Sequence, residues 1–219
     1  MQSFVNFRRV CSFLLTAALL LLAPAAAQAQ TTASADRETQ IRQLLEERDR
    51  QIKDILGASG SFTDAQRREL KTLINGLIDF RTMGRTALGP HWSDLNRKQR
   101  KNFVDVFGKV VKEQSLSDLE PYRAPVSYQE IRVADDSAYV KTVSRQQGER
   151  IPVEYDLVYR AGAGADENGA WRARDIIVDE VSTVGGYKRS FRSIIRRHGY
   201  GALMKSLCNK LKEVRGNGS

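Results

Sequence analysis

Few side chains in this 219-residue sequence stand where they could do chemistry together. Asp175, Asp179 and Glu180 crowd one extended segment, and paired carboxylates can divide acid and base roles between them. Asp175 and Asp179 share a strand face, but strand rise sets them about 13 Å apart, too far to act on one bond. They read instead as solvent-facing acids or as partners of the basic C-terminal segment. Tyr155 and Asp156 would suit proton transfer, yet neighbours on a strand point to opposite faces. His91 follows Gly89-Pro90 in a turn, and His198 follows Arg196-Arg197 at a helix end, where a partial positive charge is favourable. No HExxH, CxxC, nucleophile elbow, phosphate-binding loop or EF-hand pattern occurs. The expectation is a protein with no catalytic residue, no metal ligand and no cofactor.

The elements that would position these groups begin after a leader. Arg8 and Arg9 precede an apolar run from Val10 to Leu22, and Ala27-Gln28-Ala29 has the small-x-small form of a cleavage site. The run is 13 residues long, against about 20 for a membrane span. A cleavable signal peptide over residues 1–29 and export to the periplasm are expected, by ordinary secretion in preference to a twin-arginine route. Cys11 lacks a lipobox context. Cleavage after Ala29 leaves 190 residues, enough for one cored domain. Cys208 is then the remaining cysteine, so no internal disulfide forms. It adjoins Leu207 and Leu211 on an apolar stripe and reads as a buried thiol.

Charge is unevenly placed. From Gly185 onward there are nine Lys or Arg residues and one acid, Glu213, whereas residues 30–184 sum to −1. A local excess of this kind suits docking to something anionic. Nucleic acid fits poorly, because the leader implies export and the aromatic residues sit at core spacings with no stacking platform.

Residues 30–35 read as a disordered lead-in. A first helix is predicted over 36–56, with Ile41, Leu44, Leu45, Ile52, Ile55 and Leu56 on one face. Thr63 with Gln66, and Asn96 with Gln99, have the spacing of capping boxes that open further helices. Between them, Arg81 to Trp92 forms a short helix closed by Gly89-Pro90. The pattern then turns to period two in strands over 126–133, 137–145 and 151–160, the last with Pro152 near its start or on an edge. Ala161 to Ala170 reads as a hairpin loop and Trp171 to Val184 as a long, bent fourth strand. Gly185-Gly186 then breaks into two terminal helices, with Gly199-Tyr200-Gly201 between them. The fold class is α+β: helices over 36–120, an antiparallel four-stranded sheet over 125–184, and helices over 185–214.

Several ordered fragments resemble one family. Asp79-Phe80-x-x-Met83, Ala87-Leu88-Gly89-x-x-Trp92 and Gln99-Arg100-x-x-Phe103-x-x-x-Phe107 are similar to the N-terminal half of the toluene-tolerance Ttg2 / MlaC family. Trp171-x-x-x-Asp175, Val181-Ser182, Tyr187-x-x-x-Phe191 and Gly199-x-x-x-Leu203-x-x-x-Leu207 resemble its C-terminal half. Glu180 stands where the family often has Gly, and Glu113-Gln114 where it tends to have Tyr.

The resemblance implies an NTF2-like cone, a curved sheet covered by helices around an apolar cavity, with residues 79–107 in the cover. It implies a monomeric periplasmic phospholipid carrier, an auxiliary of an MCE-type ABC transporter, that exchanges lipid with an outer-membrane lipoprotein–porin complex. Lining candidates are Val153, Tyr155, Leu157, Ile176, Val178 and Val181 from the strands, and Phe103, Phe107, Phe191 and Ile194 from the helices. Lys188, Arg189, Arg192, Arg196 and Arg197 are the candidates for docking to a partner or to lipid headgroups. Alternatives are a carrier of another hydrophobe such as a hopanoid, an NTF2-like small-molecule enzyme, and a ligand-free periplasmic adaptor.

Overall fold

Two capping boxes set the helical frame. In the computed structural model, which describes residues 24–57, 62–162 and 169–216 and side chains from residue 34 onward, Thr63 and Gln66 cap each other to open α2 (Asp64–Asn75). Asn96 and Gln99 do the same for α4 (Arg97–Gln114). Asp79 starts α3 (Phe80–Leu88) by accepting from the Thr82 amide at 2.8 Å. The first helix, α1, is longer than expected. It spans Pro24–Leu56 and takes in the expected lead-in, since the Ala- and Gln-rich stretch after Pro24 favours helix. Most of the expected leader lies outside the described residues, as do 58–61 and 163–168 of the expected loops.

The strands β1 (Val126–Ala134), β2 (Ser137–Gln146), β3 (Glu149–Arg160) and β4 (Ala170–Val178) form an antiparallel meander in sequence order. The sheet has five strands where four were expected. The predicted long fourth strand is cut by a turn at Asp179 and Glu180, both at positive φ, and resumes as the two-residue β5 (Val181–Ser182). Register shifts at Tyr128/Glu130 and Asp156/Leu157 mark bulges, which bend strands and raise their twist. Pro152 lies near the start of β3, just before its pairing with β4 begins at Val153. The free edge of β4 is covered by the chain at Leu77–Asp79, whose backbone bonds Ala173 on both sides.

The last helix, α5 (Thr183–Gly216), is kinked at Gly199, where two terminal helices were expected to meet, and it starts two residues before Gly185-Gly186, which were expected to precede it. Ser182 accepts from the Gly185 amide at 2.8 Å, so capping pulls both glycines into the first turn. Gly199 has φ 79 and ψ 173, which suits glycine alone.

Two layers result. In one, α3, α4 and α5 close round Phe103, Phe107 and Phe191. Phe103 stacks on Phe107 at 5.6 Å, and Phe191 meets both edge-on. Gly84 of α3 sits against this cluster, and a Cβ there would lie 3.0 Å from Phe103. In the other layer, Ile41 and Leu45 of α1, with Leu77 just after α2, lie on Val140, Leu157, Trp171 and Ala173 of the inner sheet face, and α2 packs through Leu70 on Ile52 and Leu56 of α1. Cys208 is exposed, contrary to expectation, because Leu203, Leu207 and Leu211 take the buried side of their helix and the next position turns outward.

Candidate functional site

Between the inner sheet face and its helical cover lies an apolar cleft of about 230 Å³. Period-two alternation supplies its floor. Val126 and Tyr128 of β1, Thr142 and Ser144 of β2, Val153 and Tyr155 of β3, and Ile176 and Val178 of β4 share one side of the sheet. Helical periodicity supplies the roof, through Leu45, Arg48, Asp49 and Ile52 of α1 and Leu73 and Ile74 of α2, with Leu77 just beyond it. Tyr122, in a 3-10 turn before β1, closes one side.

The polar groups of the cleft are mostly satisfied or neutral. Thr142 is buried and donates to the Val153 carbonyl at 2.9 Å. Asp49 is bound to Lys53 at 2.6 Å. Burial pushes the Tyr155 hydroxyl up to about 12, and burial with nearby Asp118 takes Tyr122 up to about 12. Burial raises Tyr128 further, helped by Tyr155 and Asp49. None of these phenols ionises near neutral pH. Arg48 is the exception: its Nη1 donates to the Leu73 carbonyl at 2.8 Å while its buried Nε has no hydrogen-bond partner. Burial, and then the repulsion of Arg172, lower its pKa.

A wider groove of about 930 Å³ runs between the end of α4 and the tail of α5. Its wall mixes charged groups such as Glu113, Glu120, Arg123 and Glu213 with the apolar Phe62, Leu116, Leu119 and Val214.

The strand candidates Val153, Tyr155, Ile176 and Val178 meet in the cleft. Leu157 lies deeper in the same layer and is fully buried. Val181 is 60% exposed, in β5. Phe103, Phe107, Phe191 and Ile194 belong to the core of the other layer, so residues 79–107 build that layer and the cleft is roofed by α1 and α2. Lys188, Arg189, Arg192, Arg196 and Arg197 are exposed along the first arm of α5. Arg48, Thr142 and Tyr128 were missed. Arg48 interrupts the apolar stripe of Leu44, Leu45 and Ile52, and Thr142 continues the alternation of Ala138 and Val140, which are the signals that could have found them.

Asp175 also departs from the solvent-facing reading. Its carboxylate accepts from the Ile176 and Val184 amides at 2.9 and 3.0 Å and from the Ser182 hydroxyl at 2.5 Å. It fastens β4 to the start of α5. Asp156 is paired with Arg174 at 2.8 Å, away from Tyr155 and the cleft. His91 faces Asp94 at 3.5 Å.

A model of the MlaC protein family matches residues 46–209. The chain belongs to the MlaC family. The match runs from the middle of α1 into the second arm of α5, so both layers are MlaC structure. Among solved structures, a phospholipid-binding protein from Ralstonia solanacearum, determined in complex with a phospholipid, is similar with a TM-score of 0.63. It is 20% identical over 81% of this chain and 98% of its own, a likeness of fold. No curated protein matches. The MlaC-like fragments have structural duties: Asp79 caps α3, Phe103 and Phe107 fill the helical layer, and Asp175 with Ser182 anchors α5.

Proposed function

We propose that this protein is a periplasmic phospholipid carrier. It holds acyl chains in the cleft between the sheet and α1–α2, and passes lipid between the outer membrane and an inner-membrane MCE-type ABC transporter. It does so without chemical reaction and without a cofactor. The observation that carries the reading is the apolar cleft lined by Val153, Tyr155, Ile176 and Val178 under a helical roof. Membership of the MlaC family and the phospholipid bound by the Ralstonia protein support it.

The physics suits a carrier. Each methylene moved from water into an apolar site contributes about 0.8 kcal/mol, so acyl chains are retained until an acceptor offers an equal surface. At about 230 Å³ the cleft is smaller than the roughly 300–1,000 Å³ of ordinary ligand pockets. Loading therefore parts the roof from the floor, and cargo itself stabilises the open form. Arg48, with an Nε free to donate, is the cation on the wall that can meet a phosphate.

Native mass spectrometry after mild purification tests this. One phospholipid per chain is expected. Protein that arrives ligand-free and takes up no lipid from phospholipid micelles would overturn the reading, and a sterol-like hydrophobe in the extract would change the cargo class.

A further inference from the structure

The charge of this molecule is divided between its two layers. Residues 80–114 and 183–216, which build α3, α4 and α5, carry seventeen Lys or Arg and four acids, a net +13. Residues 30–79 and 115–182, the sheet with its α1–α2 roof, sum to −6. Pairing differs in the same way. On α1, Arg42, Arg50 and Lys53 all reach acids on the same helix. Arg81 and Arg85 of α3, and Lys188, Arg189, Arg192, Arg196 and Arg197 of α5, are exposed, and no ion pair joins any of them to an acid among the described residues.

These cations are also ordered in space. Lys188, Arg192 and Arg196 recur every fourth residue and so form one stripe. The start of α5 lies beside the end of α3, with Lys188 Cε 3.7 Å from where a Cβ on Gly89 would stand. The aromatic cluster beneath holds both helices to α4.

What could cover such a face follows from what it lacks. A stable protein interface has an apolar centre inside a polar rim. Among the described residues the exposed large apolar side chains are Val178 and Val181, at the β4–β5 turn and not on this face. A bilayer surface with anionic headgroups needs no such centre: it attracts diffuse clusters of Lys and Arg by charge alone.

We propose that the α3–α5 face adsorbs electrostatically to a bilayer surface bearing anionic phospholipid headgroups. Adsorption is reversible and shallow, since no apolar side chain on the face enters the acyl region. It orients the protein on a membrane through the layer that does not hold cargo. The inference goes beyond the carrier reading and does not require an occupied cleft.

Co-sedimentation with vesicles tests it, using phosphatidylcholine alone and an equal mixture of phosphatidylcholine and phosphatidylglycerol. Binding to the mixed vesicles and not to the neutral ones is expected in low salt, and its loss near 1 M salt, where the Debye length shrinks to about 3 Å. Each cation contributes roughly fivefold, so Arg192→Gln with Arg196→Gln weakens binding about thirtyfold. The pair Arg132→Gln and Arg145→Gln, on the sheet, leaves it unchanged. No binding to mixed vesicles, equal binding to neutral vesicles, or equal loss in both double variants would overturn the proposal. So would retention on an immobilised acidic protein without vesicle binding. Val153→Glu, which spoils the cleft, separates the two readings. Its vesicle binding persists if the face adsorbs, even where no lipid co-purifies, and its loss would show that contact is made through the cleft.

Discussion

Replacing Asp175 by Ala should unfasten α5 from the sheet. The side chain is half-buried and accepts three hydrogen bonds, from the Ile176 amide, the Val184 amide and the Ser182 hydroxyl. Ser182 in turn accepts from the Gly185 amide at 2.8 Å, so its orientation depends on the same carboxylate. A hydrogen bond to an ionised acceptor contributes about 1.5–3 kcal/mol. Water replaces part of that at a half-buried site, which brings the loss for the whole cluster to about 3 kcal/mol. At about 2–4 °C per kcal/mol for a domain of this size, Tm should fall by about 6–12 °C. Asp175→Asn keeps a neutral acceptor for both amides and should lose only about 1 kcal/mol. Urea and thermal unfolding followed by circular dichroism measure both variants, and lipid is quantified per folded molecule. Stability of Asp175→Ala within about 0.5 kcal/mol of the parent would refute the anchoring argument. Normal stability with lost lipid would place Asp175 at the cargo.

Other outcomes follow from the same geometry. Gly84→Ala drives a Cβ to 3.0 Å from Phe103 and 3.2 Å from Phe107 and should cost about 1–3 kcal/mol by overpacking. Phe103→Ala, at a fully buried ring, should cost about 3–5 kcal/mol, both read from urea midpoints. Val153→Glu should strip co-purifying lipid from folded protein, whereas Val181→Glu, 60% exposed outside the cleft lining, should leave lipid content unchanged in native mass spectra. Burial pushes the Asp79 carboxyl up, but the Thr82 amide and hydroxyl and the Arg160 guanidinium outweigh it and hold its pKa below the usual value. Lys71 and Arg215 likewise outweigh burial at Glu113. Both groups therefore stabilise the fold fully above their unfolded values near about 4 and lose that contribution as pH falls through the depressed folded values. Asp79→Asn should flatten the acid limb of Tm against pH, and an unchanged limb would remove Asp79 from the account.

Much of this fold was legible because its signals are local. The Thr63–Gln66 and Asn96–Gln99 spacings placed two helix starts, and alternation placed β1 to β3. The misplaced elements turned on contacts between distant residues. Nothing in Trp171 to Val184 says that Asp175 reaches forward to Ser182 and Val184, so the turn at Asp179-Glu180 passed for a bend within one strand. The glycine pair at 185–186 looked like the boundary before the last helices, because the Ser182 cap that draws it into α5 lies outside the helix. The cleft was half legible for a related reason. Strand parity placed Val153, Tyr155, Ile176 and Val178 on one face, but helical aromatics at core spacing carry no mark of which core they fill. Phe103 and Phe191 went to the aromatic layer, and the roof came from α1, whose Arg48 looked like a flaw in an apolar stripe.

The two layers differ in how readily they can change shape, and this bears on how the cleft is loaded. Around Phe107 the rings of Phe103, Tyr187 and Phe191 lie with centroids 5.0–5.9 Å away, and close-packed cores resist continuous deformation. The roof is held more loosely. Beyond apolar contact, the described ties of α1 to the rest of its layer include donations to carbonyls from Arg37 to Asp135 and from Arg48 to Leu73, the bonds from Arg123 to the Leu56 and Gly57 carbonyls, and the Arg42 guanidinium over the Tyr128 ring. Each net hydrogen bond of this kind is worth about 1–3 kcal/mol, and a few buried methylenes of cargo at about 0.8 kcal/mol each offset one. On the proposed function, a lipid would therefore open the cleft at α1 before it disturbs the α3–α5 layer, since α2 is tied to α4 by Lys71–Glu113 at 2.7 Å and by Asn75–Ser115 at 2.9 Å. The layer that stays rigid is also the one that carries the unpaired cations, so docking by that face leaves the roof free to move.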